Sequence, residues 1–351
     1  MIHCRTLLLL AACVPVFGQQ YTISTIAGAS FPTSVAVDSA GNVYFGDWYG
    51  IKKIWPGGGV TTVAGQFGMP IGLAISPSGI LYFADENSNL VGQVNLSSGI
   101  VSTVAGTGAG VDSGDGGLAV SAGVRMPSGV ALDAAGNLYF GSSWSRIREV
   151  DARTGMIRTI AGQFANGYTG DGGPALGARF WDPIPSAVSR NGDLYIADFQ
   201  NSRIRKMSLQ TGIVTTVVGS GDCPIAPGPF RITVCRGAYD GDAGPGTNAS
   251  LNYAEGVALD DSGNLYIADT INHRIRRLDA KTGLIYTIAG NGVRGYFGDG
   301  GPALAAEIST PAGIAVDSSG RVYIADEGNN CIRMLTPVAT QSDELREPHS
   351  R

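Results

Sequence analysis

Few residues in this chain of 351 could carry chemistry. It has three histidines, and only His273 lies within patterned sequence, because His3 falls in an apolar N-terminal run and His349 in a polar C-terminal stretch. A zinc site needs three or four converging ligands, and a nucleophilic triad needs a base beside its Ser or Cys. One histidine supplies neither, so His273 reads as a turn or strand-edge residue. Of the five cysteines, Cys4 and Cys13 precede any repeat pattern. Cys223 and Cys235 stand twelve apart in one long insertion and are expected to pair if the chain is exported. Cys331 is left over, with no activating base nearby, and reads as a free strand thiol rather than a nucleophile.

The carboxylates are more numerous and recur. Asp47, Asp85, Asp198, Asp269 and Asp326 each close a short apolar run, with Ser142 in the equivalent third position. An aspartate there accepts backbone N–H bonds of a following turn and recurs because the turn recurs. A second set lies in V111DSGDGGLAVSA, G167YTGDGGPALGA, A238YDGDAGPGTNAS and G295YFGDGGPALAA. Asp and Gly before Pro-Ala-Leu suit a cap and a short helical turn, so part of this motif is loop architecture. These segments nonetheless place Tyr168, Tyr239, Tyr296 and Phe297 beside Asp171, Asp240, Asp242 and Asp299. Aromatic rings next to carboxylates suit a carbohydrate or peptide ligand. Asp240-Gly-Asp242 also offers oxygens to calcium, although the twelve-residue EF-hand pattern is missing.

The elements that must position these residues are repeats. The unit PxGxAxDxxGNxYxADxxNxRIRxx occurs six times, with aligned tyrosines at Tyr44, Tyr82, Tyr139, Tyr195, Tyr266 and Tyr323. Each unit reads as four short strands: GVALD, a Gly-Asn hairpin turn, LYIAD, then RIRRLD, a Thr-Gly turn and LIYTIAG (256–290 in the fifth copy). The alternating arginines of the third strand suggest an exposed position. Four-stranded antiparallel units repeated six times indicate an all-β, six-bladed propeller. A solenoid would instead need polar capping repeats at its ends.

One strand is out of place. The sixth unit runs CIRMLTP into a polar tail with no fourth strand, while Y21TISTIAG stands alone ahead of the first unit. If residues 21–28 pair as the outer strand of the last blade, all six blades are complete and the ring closes, protecting a sheet edge.

The unit resembles the NHL repeat, named for an Asn-His-Leu triplet, most closely at T270INHRIRRL; here the triplet is Asn272-His273-Arg274. Other copies depart from it (Asn201-Ser202-Arg203, Asn329-Asn330-Cys331). The resemblance spans about 21–337 and implies a six-bladed propeller. It implies no single function, since ligand-binding sensors, nucleic-acid binders and, in related propellers, lyases and lactonases share the architecture. Lactonase-like relatives hold a central cation through several carboxylate and amide ligands. The positions expected at the channel mouth are Thr33, Ile71, Ser128, Ile184, Glu255 and Ala312, of which only Glu255 is charged.

Residues 1–18 carry Arg5 and then an apolar run of about a dozen residues, the pattern of a signal peptide and too short to span a bilayer. Leu10-Ala11-Ala12-Cys13 also resembles a lipobox, which would anchor the protein through Cys13. The expected domains are a leader (1–18), a propeller of the exported bacterial kind (19–337) and a polar tail (338–351). The formal net charge is −5, with no block of like charges, so nucleic acid is not expected as a partner. The reading is a secreted or periplasmic monomer that binds a protein, peptide or glycan at its loop rim, with no cofactor unless calcium binds at Asp240/Asp242. The alternative is a metal-dependent lactonase- or lyase-like enzyme.

Overall fold

The computed structural model describes residues 19–65, 67–221 and 239–338. The leader, Cys13, the Cys223–Cys235 pairing and most of the tail lie outside the described residues.

Six four-stranded antiparallel sheets form the blades of a propeller. Blade 1 comprises Ser34–Val37, Val43–Asp47, Gly50–Ile54 and Val60–Gly65, from the axis outward. Blade 2 comprises Pro70–Ile75, Ile80–Asp85, Leu90–Asn95 and Val101–Ala105; blade 3, Ser128–Leu132, Leu138–Ser142, Arg146–Val150 and Ile157–Ala161. Blade 4 comprises Pro183–Val188, Asp193–Asp198, Arg203–Ser208 and Val214–Val218; blade 5, Ala254–Leu259, Leu265–Asp269, Arg274–Leu278 and Ile285–Ala289. Blade 6 takes Pro311–Val316, Val322–Asp326 and Cys331–Pro337 from the C-terminal end and its outer strand, Tyr21–Gly28, from the N-terminal end. The register of that closure runs from Tyr21 opposite Pro337 through Ile23 opposite Leu335 to Gly28 opposite Cys331. The lone N-terminal copy of the repeat's last strand is therefore the clasp of the ring.

The repeat consensus has a physical reason at each position. In the first hairpin turn, Asp38 Oδ1 accepts the N–H groups of Ala40 and Asn42, and Tyr44 donates its hydroxyl to Asp38 Oδ2. Asp133, Asp260 and Asp317 do the same for Tyr139, Tyr266 and Tyr323. Gly72, Gly129, Gly256 and Gly313, near the start of their first strands, sit where first strands of neighbouring blades touch. A Cβ on Gly72 would stand 2.5 Å from Gly129 Cα, and one on Gly256 2.4 Å from the Ala312 carbonyl oxygen. Glycine thus lets four of the first strands press against their neighbours at the axis, while Ser34 and Pro185 hold the position in blades 1 and 4. The apolar core lies between blades: Val91 and Ala105 of blade 2 pack with Val130, Leu138 and Phe140 of blade 3, and the other clusters likewise span neighbouring blades.

Candidate functional site

Antiparallel connectivity puts two kinds of connection on one end of the propeller: the loops between blades and the turns joining second to third strands. All the predicted ligand-facing residues lie at this loop end or on the blade edges beneath it.

The Gly-Asp-Gly-Gly segments lie against the outer strand of the blade they lead into. In blade 4, Gly172 N–H donates to the Val214 carbonyl and Val214 N–H to the Gly173 carbonyl, so the loop pairs with the outer strand as a short fifth strand. The same pairing joins Gly116 and Gly117 to Ile157, Ala243 and Gly244 to Ile285, and Gly300 and Gly301 to Ile23. The motif's aspartate is held from inside the blade. Asp171 takes the guanidinium of Arg205 at 2.6 Å, the N–H of Thr216 at 3.0 Å and the hydroxyl of Tyr168 at 2.7 Å. Asp242 with Arg276 and Tyr239, and Asp299 with Arg333, Thr25 and Tyr296, repeat the arrangement; Asp115 with Arg148 and Thr159 repeats it without a tyrosine. Burial works against ionising Asp171, Asp242 and Asp299, but their hydrogen bonds outweigh it and hold each carboxyl below its usual range. Asp240 accepts the N–H of Ser250 with its side chain, and its carbonyl takes Arg276. Tyr168, Asp171, Tyr239, Asp240, Asp242, Tyr296 and Asp299 thus form separate sets on three blades, away from Glu255, while Phe297 stays exposed.

This geometry corrects the expectation that the third-strand arginines are exposed. Arg148, Arg205, Arg276 and Arg333 are among the most buried side chains of the protein. Arg205 reaches Asp171 on one side and Asp198 at 3.4 Å on the other, and donates to the carbonyls of Thr169 and Arg179. The recurrent second-strand aspartates hold the following turn where Asp47 and Asp85 accept the N–H groups of Tyr49 and Ser88, as expected, and they also bind further back. Asp198, Asp269 and Asp326 accept the N–H groups of Trp181, Asn252 and Ser309, each seventeen residues upstream in the junction loop. In blade 3, where Ser142 replaces the aspartate, the Ser142 hydroxyl donates to Asp112, which also pairs with Arg146 at 2.8 Å.

His273 closes a helical turn in a left-handed conformation, and its Nδ1 accepts the N–H of Thr310 from the next blade at 3.1 Å. Asn330 with Phe31, Asn89 with Met126 and Ser202 with Tyr253 form the same latch at three other junctions. Cys331 is buried, and burial pushes its thiol up to about 12.

At the axis, Thr33, Ile71, Ile184, Glu255 and Ala312 line a cavity of about 50 Å³; at the third position Gly129 and Val130 line it, while the Ser128 hydroxyl turns to the Pro183 carbonyl. Glu255 has company that the repeat alignment did not reveal. Burial, then the nearby charges of Glu327, Asp182 and Glu86, push its carboxyl up to about 8. Burial and Glu86 raise Asp182 to about 6, and burial raises Glu86 and Glu327. All four are partly buried, and among the described residues none forms an ion pair. Asp182 precedes a first strand, whereas Glu86 and Glu327 follow the recurrent second-strand aspartate. The signal was thus the variable residue beside each constant one. Exposed Phe31, Trp48, Tyr49, Trp144, Phe164 and Phe297 all lie on connections at this same end. Among the described residues, no three His, Cys, Asp or Glu side chains converge to hold a metal ion.

The four-stranded blades, the ring closure and the Asn-His-Arg turn define an NHL-type propeller, and family comparison agrees. The teneurin NHL domain model matches residues 27–169, and the NHL repeat matches 251–278 and 309–334. The chain belongs to the NHL-repeat six-bladed β-propellers. It is 29% identical over 342 residues to human Teneurin-1, covering 87% of this chain and 12% of that protein. It is also 29% identical over 286 residues to Protein SUPPRESSOR OF QUENCHING 1, chloroplastic, of Arabidopsis thaliana, covering 80% of this chain and 26% of that one. The match to chicken NHL repeat-containing protein 2 is 29% over 301 residues, covering 77% and 39%. The chain therefore spans well under half the length of these relatives. Among solved structures, an auxiliary nutrient binding protein from Bacteroides ovatus aligns with a TM-score of 0.65 at 16% identity, covering 92% of this chain and 78% of that one. A streptogramin B lyase aligns with a TM-score of 0.56 at 16% identity, covering 91% and 98%. At these identities the likeness is one of fold. Among the described residues no helix is long and apolar enough to cross a membrane.

Proposed function

We propose that the protein is an exported binding module that takes a protein, peptide or glycan on its loop end, and that a positively charged group of the ligand anchors at the channel mouth. One observation carries this reading: Glu255 lines the axial cavity, the charges of Glu327, Asp182 and Glu86 reach it, and among the described residues none of the four forms an ion pair. After burial, the charges of Glu327, Asp182 and Glu86 raise the cost of ionising Glu255, and Glu86 raises that of Asp182. A ligand ammonium or guanidinium would relieve that cost, and the exposed aromatic rings nearby would add apolar and cation–π contact. Strongly shifted groups in a cleft are a common mark of a functional site. The auxiliary nutrient binding protein of like fold supports a binding role at the level of architecture. We place the protein outside the cytoplasm on the strength of its leader, and no cofactor is needed, so EDTA should leave binding unchanged.

The test is calorimetric titration of the mature protein with an oligolysine peptide and an acidic control, in two buffers of different ionisation enthalpy. Binding of the basic peptide alone, with proton release near pH 7, is expected, because Glu255 must ionise to pair. Glu255→Gln should weaken binding about tenfold or more while raising stability at pH 9. A carboxyl whose folded value is raised costs stability as pH climbs from its ordinary value to about 8, so removing it should gain on the order of 2 kcal/mol at pH 9 and little at pH 4. Equal binding of both peptides, or an unaffected Glu255→Gln variant, would sink the proposal. Loss of glycan binding on Trp48→Ala but not on Glu255→Gln would favour a stacked sugar instead.

A further inference from the structure

Blades 3 to 6 have their outer strands covered by loops, and among the described residues nothing covers those of blades 1 and 2. The junctions leading into blades 1 and 2 are short, and among the described residues nothing pairs with the outer side of Val60–Gly65 or Val101–Ala105. Val60, Thr61 and Thr62 are exposed, as are Val101, Ser102 and Thr103. Val60 aligns with Val214, which gives both its backbone groups to the loop in blade 4, and Thr62 aligns with Thr216, whose N–H binds Asp171. The two open edges differ in one respect. Blade 1 has Lys52 at the position of the clamping arginine, and blade 2 has Gly92. Lys52 already bonds the buried Asp47 at 2.6 Å and keeps a fifth of its side chain open. Arg205 likewise contacts Asp198 while reaching Asp171 on its outer side. Lys52 is therefore half of a clamp whose outer carboxylate no described residue provides.

We infer that the outer edge of blade 1 is the docking site for an extended, glycine-containing segment of a partner protein that carries an aspartate or glutamate. The segment adds a strand to Val60–Gly65, its backbone taking the N–H and C=O of Val60, and its carboxylate takes Lys52 and the N–H of Thr62. Main-chain pairing supplies affinity and the charge supplies register and selectivity. The four loops of blades 3 to 6 are worked copies of this interaction in cis, and the charge of Lys52 selects its acidic occupant. The site is at the periphery, separate from the channel mouth, and does not depend on the function proposed there.

The probe is a synthetic peptide with the sequence of residues 167–178, GYTGDGGPALGA, added in trans to the mature protein, with amide hydrogen exchange as the readout. Slower exchange at 60–65 than at 101–105 is expected. Replacing the peptide's aspartate by asparagine should weaken protection at least tenfold, and Lys52→Gln in the protein should do the same. The peptide variant keeps the test decisive if Lys52→Gln disturbs blade 1. No protection at 60–65 at millimolar peptide would overturn the inference, and so would protection of both edges that ignores the aspartate. A concentration-dependent dimer that protects 60–65 without peptide would also overturn it, by assigning the edge to a second copy.

Discussion

Blades 1 and 2 differ from blades 3 to 6 in two features that appear and disappear together. Where the third strand carries a buried arginine (Arg148, Arg205, Arg276, Arg333), the preceding junction carries the Gly-Asp-Gly segment that covers the outer strand. Where that position is Lys52 or Gly92, the junction is short and no described residue pairs with the outer side of the outer strand. The arginine is buried because the loop lies over it, and the loop lies down because the arginine takes its aspartate. Neither half explains itself: a buried guanidinium without its carboxylates costs several kcal/mol, and a glycine-rich loop without an anchor has much entropy to lose. The difference also separates roles. Four blades satisfy their edges internally, and two have edge backbone groups with no partner among the described residues.

The largest expected effect comes from breaking the clamp on one side of this divide. Arg205→Met leaves Asp198 buried and Asp171 unpaired, and should destabilise the protein by about 3–5 kcal/mol. Lys52→Met, at the equivalent position of an open blade, leaves the buried Asp47 with only the N–H groups of Ser30 and Tyr49, strands no outer carboxylate, and should cost about 2–3 kcal/mol. Urea unfolding of both variants checks the pair; equal losses would mean that loop and arginine are not one unit. A smaller, local effect should appear without any mutation. The amides of Val60 and Val101 should exchange roughly a hundredfold or more faster than those of Val214 and Ile285, which donate to loop carbonyls. Similar rates would show that the covering loops open as readily as bare edges.

The fold was legible because each repeat states its own geometry. Asp-x-x-Gly-Asn specifies the hairpin turn, Pro-x-Gly the crowded axis, and the displaced Y21TISTIAG the closure. The clamp was half legible. The Gly-Asp-Gly-Gly loops and the arginines were both visible as patterns, but their pairing spans 33 to 36 residues and a blade's depth, and the alternation of RIRRL looks the same whether its arginines meet water or buried carboxylates. The acidic mouth was least legible. Glu86 and Glu327 share one repeat position, but Asp182 and Glu255 stand at two others, and the four come from four different blades, so no single column of an alignment gathers them and only the closed ring does.

The finest comparison concerns the latches between blades, and there the family's own histidine can be set against its substitutes. His273 Nδ1 accepts the Thr310 N–H, as Asn330 and Asn89 accept those of Phe31 and Met126 with a group that does not titrate. Burial, with Arg294 and Arg274 close by, lowers the imidazole's affinity for a proton. A histidine whose folded value lies below its unfolded value near 6.5 stabilises the fold while neutral, and that stability is lost as pH falls through the folded value. Protonation would also turn the acceptor nitrogen into a donor facing another donor. His273→Asn keeps a residue suited to the left-handed backbone at φ 53 and keeps the acceptor. It should therefore be nearly neutral at pH 7.5 and more stable than the parent at pH 5, by about 1 kcal/mol or less. Urea titrations at the two pH values measure this directly. A variant weaker than the parent at both would mean that the ring of His273 matters for its packing, and that the latch is not what the histidine shares with the asparagines.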